Sequence, residues 1–320
     1  MIYTVTLNPA IDKTIYVDEF KVDSVNRIKV FRNDPGGKGI NVTKMVGNLG
    51  GDSVSIAIVG GGTGMMLESL MRQSDMNYKT FKCSGETRVN TKVVDKVGKT
   101  FTDINEPGPS VSKPLIMEIE SYLKETLVQG DILVLSGSVP RGVPKTIYKD
   151  WCKSLREIGV RIILDADGEL FAKGIDGQPF MIKPNETELS MYFDMELSEP
   201  GAIAKQCSVF FSKGIEVVVV SLGKDGSMLL TKDSSILFEP VDVDVKSTVG
   251  AGDSMVAAIA YELDTVKAGE STLIQLVDAL TLGVAASSAS VEQEGTIMGQ
   301  KDRIMELKNR VKYRNVETGV

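Results

Sequence analysis

The chain has 320 residues, enough for one large α/β core with an appended piece. Against 36 Lys and Arg stand 43 Asp and Glu, a formal net charge of −7, which disfavours non-specific binding to nucleic acid or anionic lipid. There is no histidine, which excludes Ser-His-Asp and Cys-His nucleophilic sites and His-ligated zinc; general-base work falls to Asp, Glu, Lys, Tyr or Cys.

The first residues, Met1-Ile2-Tyr3-Thr4, carry neither a basic nor a long apolar targeting segment, and no run reaches the ~18 apolar residues of a bilayer span. Cys83, Cys152 and Cys207 are far apart and odd in number, and read as reduced, packed thiols. The expectation is a cytoplasmic globular protein with no nucleic-acid or membrane partner.

In chain order, 2–7 reads as a strand and 14–33 as alternating segments with no helical period. A helix follows over 40–49, a strand over 54–59 and a helix over 65–73. Residues 87–97 and 100–104 flank Gly98-Lys99 as a β-hairpin. The apolar runs 132–135, 161–164, 180–182 and 217–220 have the form of strands covered on both faces. Helical patterns such as 144–158 and 199–212 separate them, so the rhythm is βαβ and the sheet parallel. Residues 254–263 and 273–290 read as closely packed helices rich in Ala, Gly and Ser, and the basic tail 308–314 as a solvated helix face. The expected division is an α/β body over 1–13, 34–86 and 106–320. A small sheet from 14–33 and 87–105 is inserted where it could cover a site.

Two familiar phosphate loops are missing. Gly98-Lys99-Thr100 ends as a P-loop does, but Val93 stands at the first glycine position. Gly60-Gly61-Gly62-Thr63-Gly64 has Met65 where the dinucleotide fingerprint needs its last glycine. A P-loop enzyme is disfavoured, and a nicotinamide-dependent dehydrogenase is weakened.

The sharpest signal is Ser247-Thr248-Val249-Gly250-Ala251-Gly252-Asp253-Ser254. Small residues admit close backbone approach, and a helix follows at once, so free amides and the helix dipole form an anion hole. A carboxylate there repels phosphate, unless Asp253 takes a proton from a hydroxyl while the amides hold a moving phosphoryl group. An ordinary acidic first turn fits the spacing as well. Asp34-Pro35-Gly36-Gly37-Lys38-Gly39-Ile40-Asn41 is a turn with one cation, suited to sugar hydroxyls or simply a glycine-rich connection. In Lys183-Pro184-Asn185-Glu186-Thr187-Glu188, Asn185 and Glu188 can place oxygens near Mg²⁺ or form a capping box; alone, the cap is the plainer account. Ser221-Leu222-Gly223-Lys224-Asp225-Gly226 can pass a nucleotide or make a hairpin. Asp12 lies just past a strand end, where open α/β sheets bind ligands, or is a solvated loop residue. Arg27 and Arg88, taken singly, read as surface charges.

Jointly these segments resemble the ribokinase-like, PfkB-type sugar kinase family. Gly36-Gly37-Lys38-Gly39-Ile40-Asn41 looks like its first signature and the run from Ser247 to Ala260 like its second. The Lys183 and Ser221 segments follow the family's order, and the resemblance extends from residue 7 to about 295. Thr6-Leu7-Asn8-Pro9-Ala10-Ile11-Asp12 and Gly85-Glu86-Thr87-Arg88-Val89-Asn90-Thr91-Lys92, followed by Thr102-Asp103-Ile104-Asn105, look most like the 1-phosphofructokinases. Tagatose-6-phosphate kinases and minor-type 6-phosphofructokinases are close.

The resemblance implies a doubly wound, mostly parallel sheet flanked by helices, with a small β-sheet lid that clasps a homodimer. It implies ATP with Mg²⁺ as donor and fructose 1-phosphate as acceptor, giving fructose 1,6-bisphosphate. Asp253 is then the general base, and Gly250, Ala251 and Gly252 the anion hole. Asp12, Gly37, Lys38, Asn41, Arg88 and Asn90, with Arg27 and Ser138, contact the sugar phosphate. Lys183, Asn185, Ser221, Gly223, Gly226 and Gly252 line the ATP side, and Glu188 and Asn185 order Mg²⁺ through water. Adenine contacts near 286–295 stay open. A dehydrogenase and a non-catalytic nucleotide-binding protein are the alternatives from other classes.

Overall fold

The computed structural model describes residues 1–266 and 271–316. Its strands are β1 (Ile2–Thr6), β2 (Ala10–Val17), β3 (Val30–Gly36), β4 (Ser53–Val59), β5 (Asn77–Lys82), β6 (Arg88–Asp95), β7 (Thr100–Asn105), β8 (Ile132–Ser136), β9 (Arg161–Asp165), β10 (Met181–Ile182), β11 (Val217–Ser221), β12 (Ser227–Leu230), β13 (Ser235–Phe238) and β14 (Tyr313–Asn315). Its α-helices are α1 (Lys38–Leu49), α2 (Gly61–Gln73), α3 (Lys113–Thr126), α4 (Ile147–Arg156), α5 (Gly168–Gly174), α6 (Glu186–Phe193), α7 (Pro200–Ser212), α8 (Ala251–Asp264), α9 (Leu273–Val291) and α10 (Lys301–Lys308).

Ten strands form one sheet in the order β14-β13-β12-β11-β10-β9-β8-β1-β4-β5. From β11 to β5 all pairs are parallel; β12, β13 and β14 add antiparallel at one edge. Every residue of β8 and β9 is buried, which their continuous apolar runs require once helices cover both faces. On one face α3 to α7 pack through Leu123, Trp151, Phe171 and Phe210. On the other α1, α8, α9 and α10 pack through Met45, Val256, Ala285 and Ile304. In α4 the apolar stripe is Ile147, Tyr148, Trp151, Cys152 and Leu155, all buried. Each such large side chain contributes roughly 1.5–3 kcal/mol by leaving water. From β1 the strand order runs outward in both directions, so a crevice opens at the carboxyl ends of β1 and β8, where such folds bind ligands.

The second sheet has the order β3-β2-β6-β7, with β2 parallel to β6 and the other pairs antiparallel. It is wider than segments 14–33 and 87–105. Residues 10–17 find backbone partners on both sides, so the sheet takes in Asp12 and Asp34.

Other elements also differ from expectation. Helix α2 begins at Gly61 rather than residue 65, because the Glu86 carboxylate caps its first turn. Helix α4 spans only Ile147–Arg156 of the expected 144–158; the Pro144 carbonyl is engaged in a turn with Ile147 N. The basic tail is helical only to Lys308; Tyr313–Asn315 then pairs with β13 and closes that edge. Helix α9 is long and apolar enough to cross a bilayer, contrary to the reading of the runs, but it is mostly buried. Gly283 lets it approach Met255 and Ile259 of α8, which explains its small-residue composition.

Candidate active site

Between the crevice and the second sheet lies a cavity of about 1020 Å³. Asp253 stands on its floor. Gly250, at φ 79°, turns the chain into α8, whose first turn is Ala251, Gly252 and Asp253. A side chain at position 250 would be strained there. Ser254 N and Oγ both bond the Gly250 carbonyl at 2.9 Å, fixing the turn. The Ala251 amide, expected in the anion hole, turns back to the Thr248 carbonyl at 3.4 Å; those of Gly252 and Asp253 meet no acceptor among the described residues, so the helix start is open to an anion there.

Asp253 is only 7% exposed and accepts a 2.8 Å hydrogen bond from Asn41 Nδ2. Burial, and then the Asp165 charge, push its carboxyl up to about 6; Lys38, the Asn41 bond and Lys183 pull the other way. That is the range in which a carboxylate works as a general base near neutral pH.

Asp165, absent from the sequence-derived site, is the hidden centre of the floor. It ends β9 fully buried, with Oδ1 3.2 Å from Lys38 Nζ and 3.4 Å from Lys183 Nζ. Burial alone would raise its carboxyl, but the two ammonium groups outweigh this and hold it below the usual range. Lys38 stays charged for the same reason: burial opposes its charge, and Asp165, Asp253 and Glu188 overcome that opposition. The available sign was an acidic residue ending an apolar strand run.

On the floor's far side, Asn185 and Glu188 form the capping box of α6. Asn185 Oδ1 accepts from Glu188 N at 2.8 Å, and Glu188 Oε2 accepts from Asn185 N at 2.9 Å. Both also line the cavity, so capping and ligand contact are compatible. Ser221, Gly223 and Gly226 line it from the turn joining β11 to β12, again satisfying both readings of that segment. An apolar wall completes this end, with Val243, Val245, Val284 and Val291 beside Ser287 and Ser288. The stretch between β13 and α8 carries no regular structure, and no pattern had marked Val243 or Val245.

The opposite wall is the second sheet. Arg88, Asn90 and Lys92 alternate along β6 and pair with Ala10, Asp12 and Thr14 of β2. Asn90 Nδ2 donates to Asp12 Oδ1 at 3.1 Å. A Cβ on Gly36 would lie 2.2 Å from Asp12 Oδ2, so only glycine leaves room for this carboxylate. Arg88 Nε donates to the Asn8 carbonyl at 3.1 Å and Nη1 to that of Glu106 at 3.4 Å. Gly37, Lys38 and Asn41 complete this end.

Two expected residues lie elsewhere. Arg27 is exposed in the connection between β2 and β3, and Ser138 is exposed in the loop after β8, accepting from Asn8 Nδ2 at 3.4 Å. Neither lines the cavity. The glycine run that opens α2 has its anion-binding amides filled: Glu86 accepts from Gly62 N at 3.2 Å and from Thr63 N at 2.9 Å. The Glu86 carboxylate thus sits where a pyrophosphate would bind, which argues further against a nicotinamide enzyme.

A twofold-wound α/β core with a carboxylate at an open helix start, roofed by a small sheet, defines a phosphoryl-transfer architecture. The chain matches the pfkB family carbohydrate kinase model over residues 5–303. It is 32% identical over 314 residues to the 1-phosphofructokinase of Bacillus subtilis, covering 98% of this chain and 99% of the relative. It is 33% identical over 304 residues to the ATP-dependent 6-phosphofructokinase isozyme 2 of Escherichia coli, covering 94% and 96%. The crystal structure of phosphofructokinase-2 from Escherichia coli in complex with fructose-6-phosphate superposes with a TM-score of 0.88 at 29% identity, over 97% of this chain and 98% of that one. The chain belongs to the pfkB family of carbohydrate kinases.

Proposed function

We propose that the protein transfers the γ-phosphoryl group of ATP to the 6-hydroxyl of fructose 1-phosphate, giving fructose 1,6-bisphosphate and ADP. The observation that carries this reading is Asp253, buried, poised near 6, and set in the first turn of a helix with free amides. Asp253 takes the hydroxyl proton as the oxygen attacks phosphorus in line; the new O–P bond forms as the bond to ADP breaks. The amides of Gly252 and Asp253 face the charge that moves onto the phosphoryl oxygens. Asp12 and Asn90 hold sugar hydroxyls, Arg88 the sugar's phosphate, and the valine wall with Ser287 and Ser288 the adenine.

The donors present fit a Mg²⁺ ion that arrives with the nucleotide. No group of three or more His, Cys, Asp or Glu is placed to hold a metal among the described residues. Mg²⁺ accompanying phosphates needs only one or two protein oxygens and keeps its waters. Glu188 has one carboxylate oxygen taken by its cap and the other unclaimed among the described residues. Asn185 and Glu188 would hold the ion through water, and it would screen the phosphate charge.

We take the second sheet as a lid whose closure keeps water from the phosphoryl group. Its exposed Val30, Phe31, Phe101 and Ile104 support a homodimer clasp. Sedimentation velocity checks this: Phe101→Asp should convert a dimer to a monomer, and a monomeric wild-type protein would end the clasp reading. The three unpaired cysteines fit a reducing compartment such as the cytoplasm.

Similarity to the Escherichia coli 6-phosphofructokinase isozyme favours fructose 6-phosphate as the second reading. Coupled ADP release, measured with fructose 1-phosphate, fructose 6-phosphate, tagatose 6-phosphate and fructose, decides between them. The highest kcat/KM is expected with fructose 1-phosphate. A higher value with another sugar phosphate would reassign the substrate, and no ADP release with any would overturn the kinase reading.

A further inference from the structure

The phosphate of the acceptor sugar is close to dianionic at neutral pH, and the chain that must hold it has a net charge of −7. Six cationic residues line the cavity: Lys13, Lys38, Arg88, Lys92, Lys183 and Lys224. Most already have internal employment or the wrong position. Lys38 and Lys183 neutralise Asp165. The Lys13 ammonium lies over the Phe31 ring, 5.6 Å from its centroid. Lys224 sits in the turn after β11, on the opposite side of the cavity from the second sheet. Arg88 faces the sugar end, but its Nε and Nη1 are committed to the carbonyls of Asn8 and Glu106, which leaves only part of its fork for a ligand.

Lys92 is different. It projects from the same face of β6 as Arg88 and Asn90, because alternate residues of a strand share a face. Its side chain is only 17% exposed, and its single ion-pair partner among the described residues is Asp103 of β7, at 3.8 Å. A pair that long makes no normal hydrogen bond. Lys92 is therefore a mostly buried side chain with unfilled ammonium donors, lining the cavity from the wall that carries Asp12, Asn90 and Arg88. The two cations lie roughly 13 Å apart along the strand, a gap their long side chains can narrow from either end.

We propose that Lys92 is a substrate-specificity residue, the second cation that reads the phosphate of the acceptor sugar, with Asp103 as the weak counter-ion it leaves when substrate binds. This rests on the sugar-phosphate kinase reading above. It adds that the cavity selects for a phosphate through two cations on one strand, so that neither alone accounts for the preference over unphosphorylated sugar.

The test is Lys92→Met, compared with wild type in steady-state kinetics and in calorimetric titration with fructose 1-phosphate in the absence of ATP. KM and Kd for fructose 1-phosphate should rise about ten- to hundredfold, as for loss of a hydrogen bond to a charged group. KM for ATP, the slow turnover of fructose and the melting temperature should hold, and Lys92→Arg should recover most of the affinity. An unchanged KM and Kd, or an equal loss with fructose, would overturn the proposal. So would a loss in Asp103→Asn as large as that in Lys92→Met, because the pair would then be a brace between strands. The wild-type substrate panel tests the kinase reading separately; if another ketohexose phosphate proves best, the same ratios are read on that sugar.

Discussion

Asn41 Nδ2 donates to Asp253 Oδ2 at 2.8 Å, tying the first turn of α1 to the first turn of α8. The two signatures, more than two hundred residues apart in sequence, thus meet at one carboxylate oxygen, and in the proposed reaction the other takes the acceptor hydroxyl's proton. Asp253→Asn should lower kcat about 10²- to 10⁴-fold, the range for losing a general base, with KM for ATP nearly unchanged. It should also raise the melting temperature at pH 8. A carboxyl whose folded pKa lies above its unfolded value contributes stability that is present at low pH and lost as pH rises through about 6. At pH 8 the native enzyme carries that penalty and the amide does not. An unchanged or lower Tm would show that Asp253 is not strained by its burial.

The same carboxyl sets the acid limb of the pH–rate profile. The kcat should fall tenfold per unit below about pH 6. Asp165→Asn removes a charge that raises Asp253 and leaves Lys38 and Lys183 free to lower it, so the limb should move to more acidic pH. The variant should also lose stability, by about 3–5 kcal/mol, the usual result of removing one partner from a buried ion pair. In the wild type that contribution is present above the unfolded carboxylate pKa and lost as pH falls through the depressed folded value. A limb that stays in place would separate Asp165 from the electrostatics of the base.

Arg88→Ala should raise KM for fructose 1-phosphate about 10- to 100-fold, as expected for a charge-assisted bond, and scarcely change KM for ATP. Its ties to the Asn8 and Glu106 carbonyls hold the guanidinium at the base of β6, so Arg88→Lys should rescue only in part. Equal losses with fructose and fructose 1-phosphate would make Arg88 a support for the sheet rather than a phosphate ligand.

Glu188→Gln separates the two tasks of that side chain. Glutamine keeps the capping box, so the melting temperature should stay near wild type. The lost charge should raise the Mg²⁺ concentration needed for half-maximal rate. A variant with wild-type Mg²⁺ dependence would leave Glu188 as a cap only.

The parallel core was legible because strands buried on both faces, such as β8 and β9, are written as short unbroken apolar runs. The glycine-rich turns were legible because few other residues serve there. Asp165 was not, since nothing local distinguishes a strand-end aspartate that meets two lysines from one that meets water. Residues 14–33 and 87–105 alternate visibly, but which face of a two-sided sheet carries Lys92 and Asp103 inward is decided by pairing partners far away in sequence. Helix α2 was cut short because a run of glycines is a poor helix former, and its cap, Glu86, lies more than twenty residues on. Strand β14 is three exposed residues whose only argument for a strand is the open edge of β13.

The bonds that Glu86 accepts at the start of α2 also hold its carboxyl below the ordinary glutamate range. Asp253 lies at the other extreme, near 6. On acidification Asp253 therefore takes up its proton before Glu86 does. Throughout the interval in which the kinase can turn over, the plug in the second glycine-rich helix start stays ionised and in place. The α2 helix start is then closed to an anion by its own carboxylate, whereas the α8 start is open. Removing the plug by Glu86→Ala would open the α2 start as well, and ATP binding would acquire a second, unproductive class of sites.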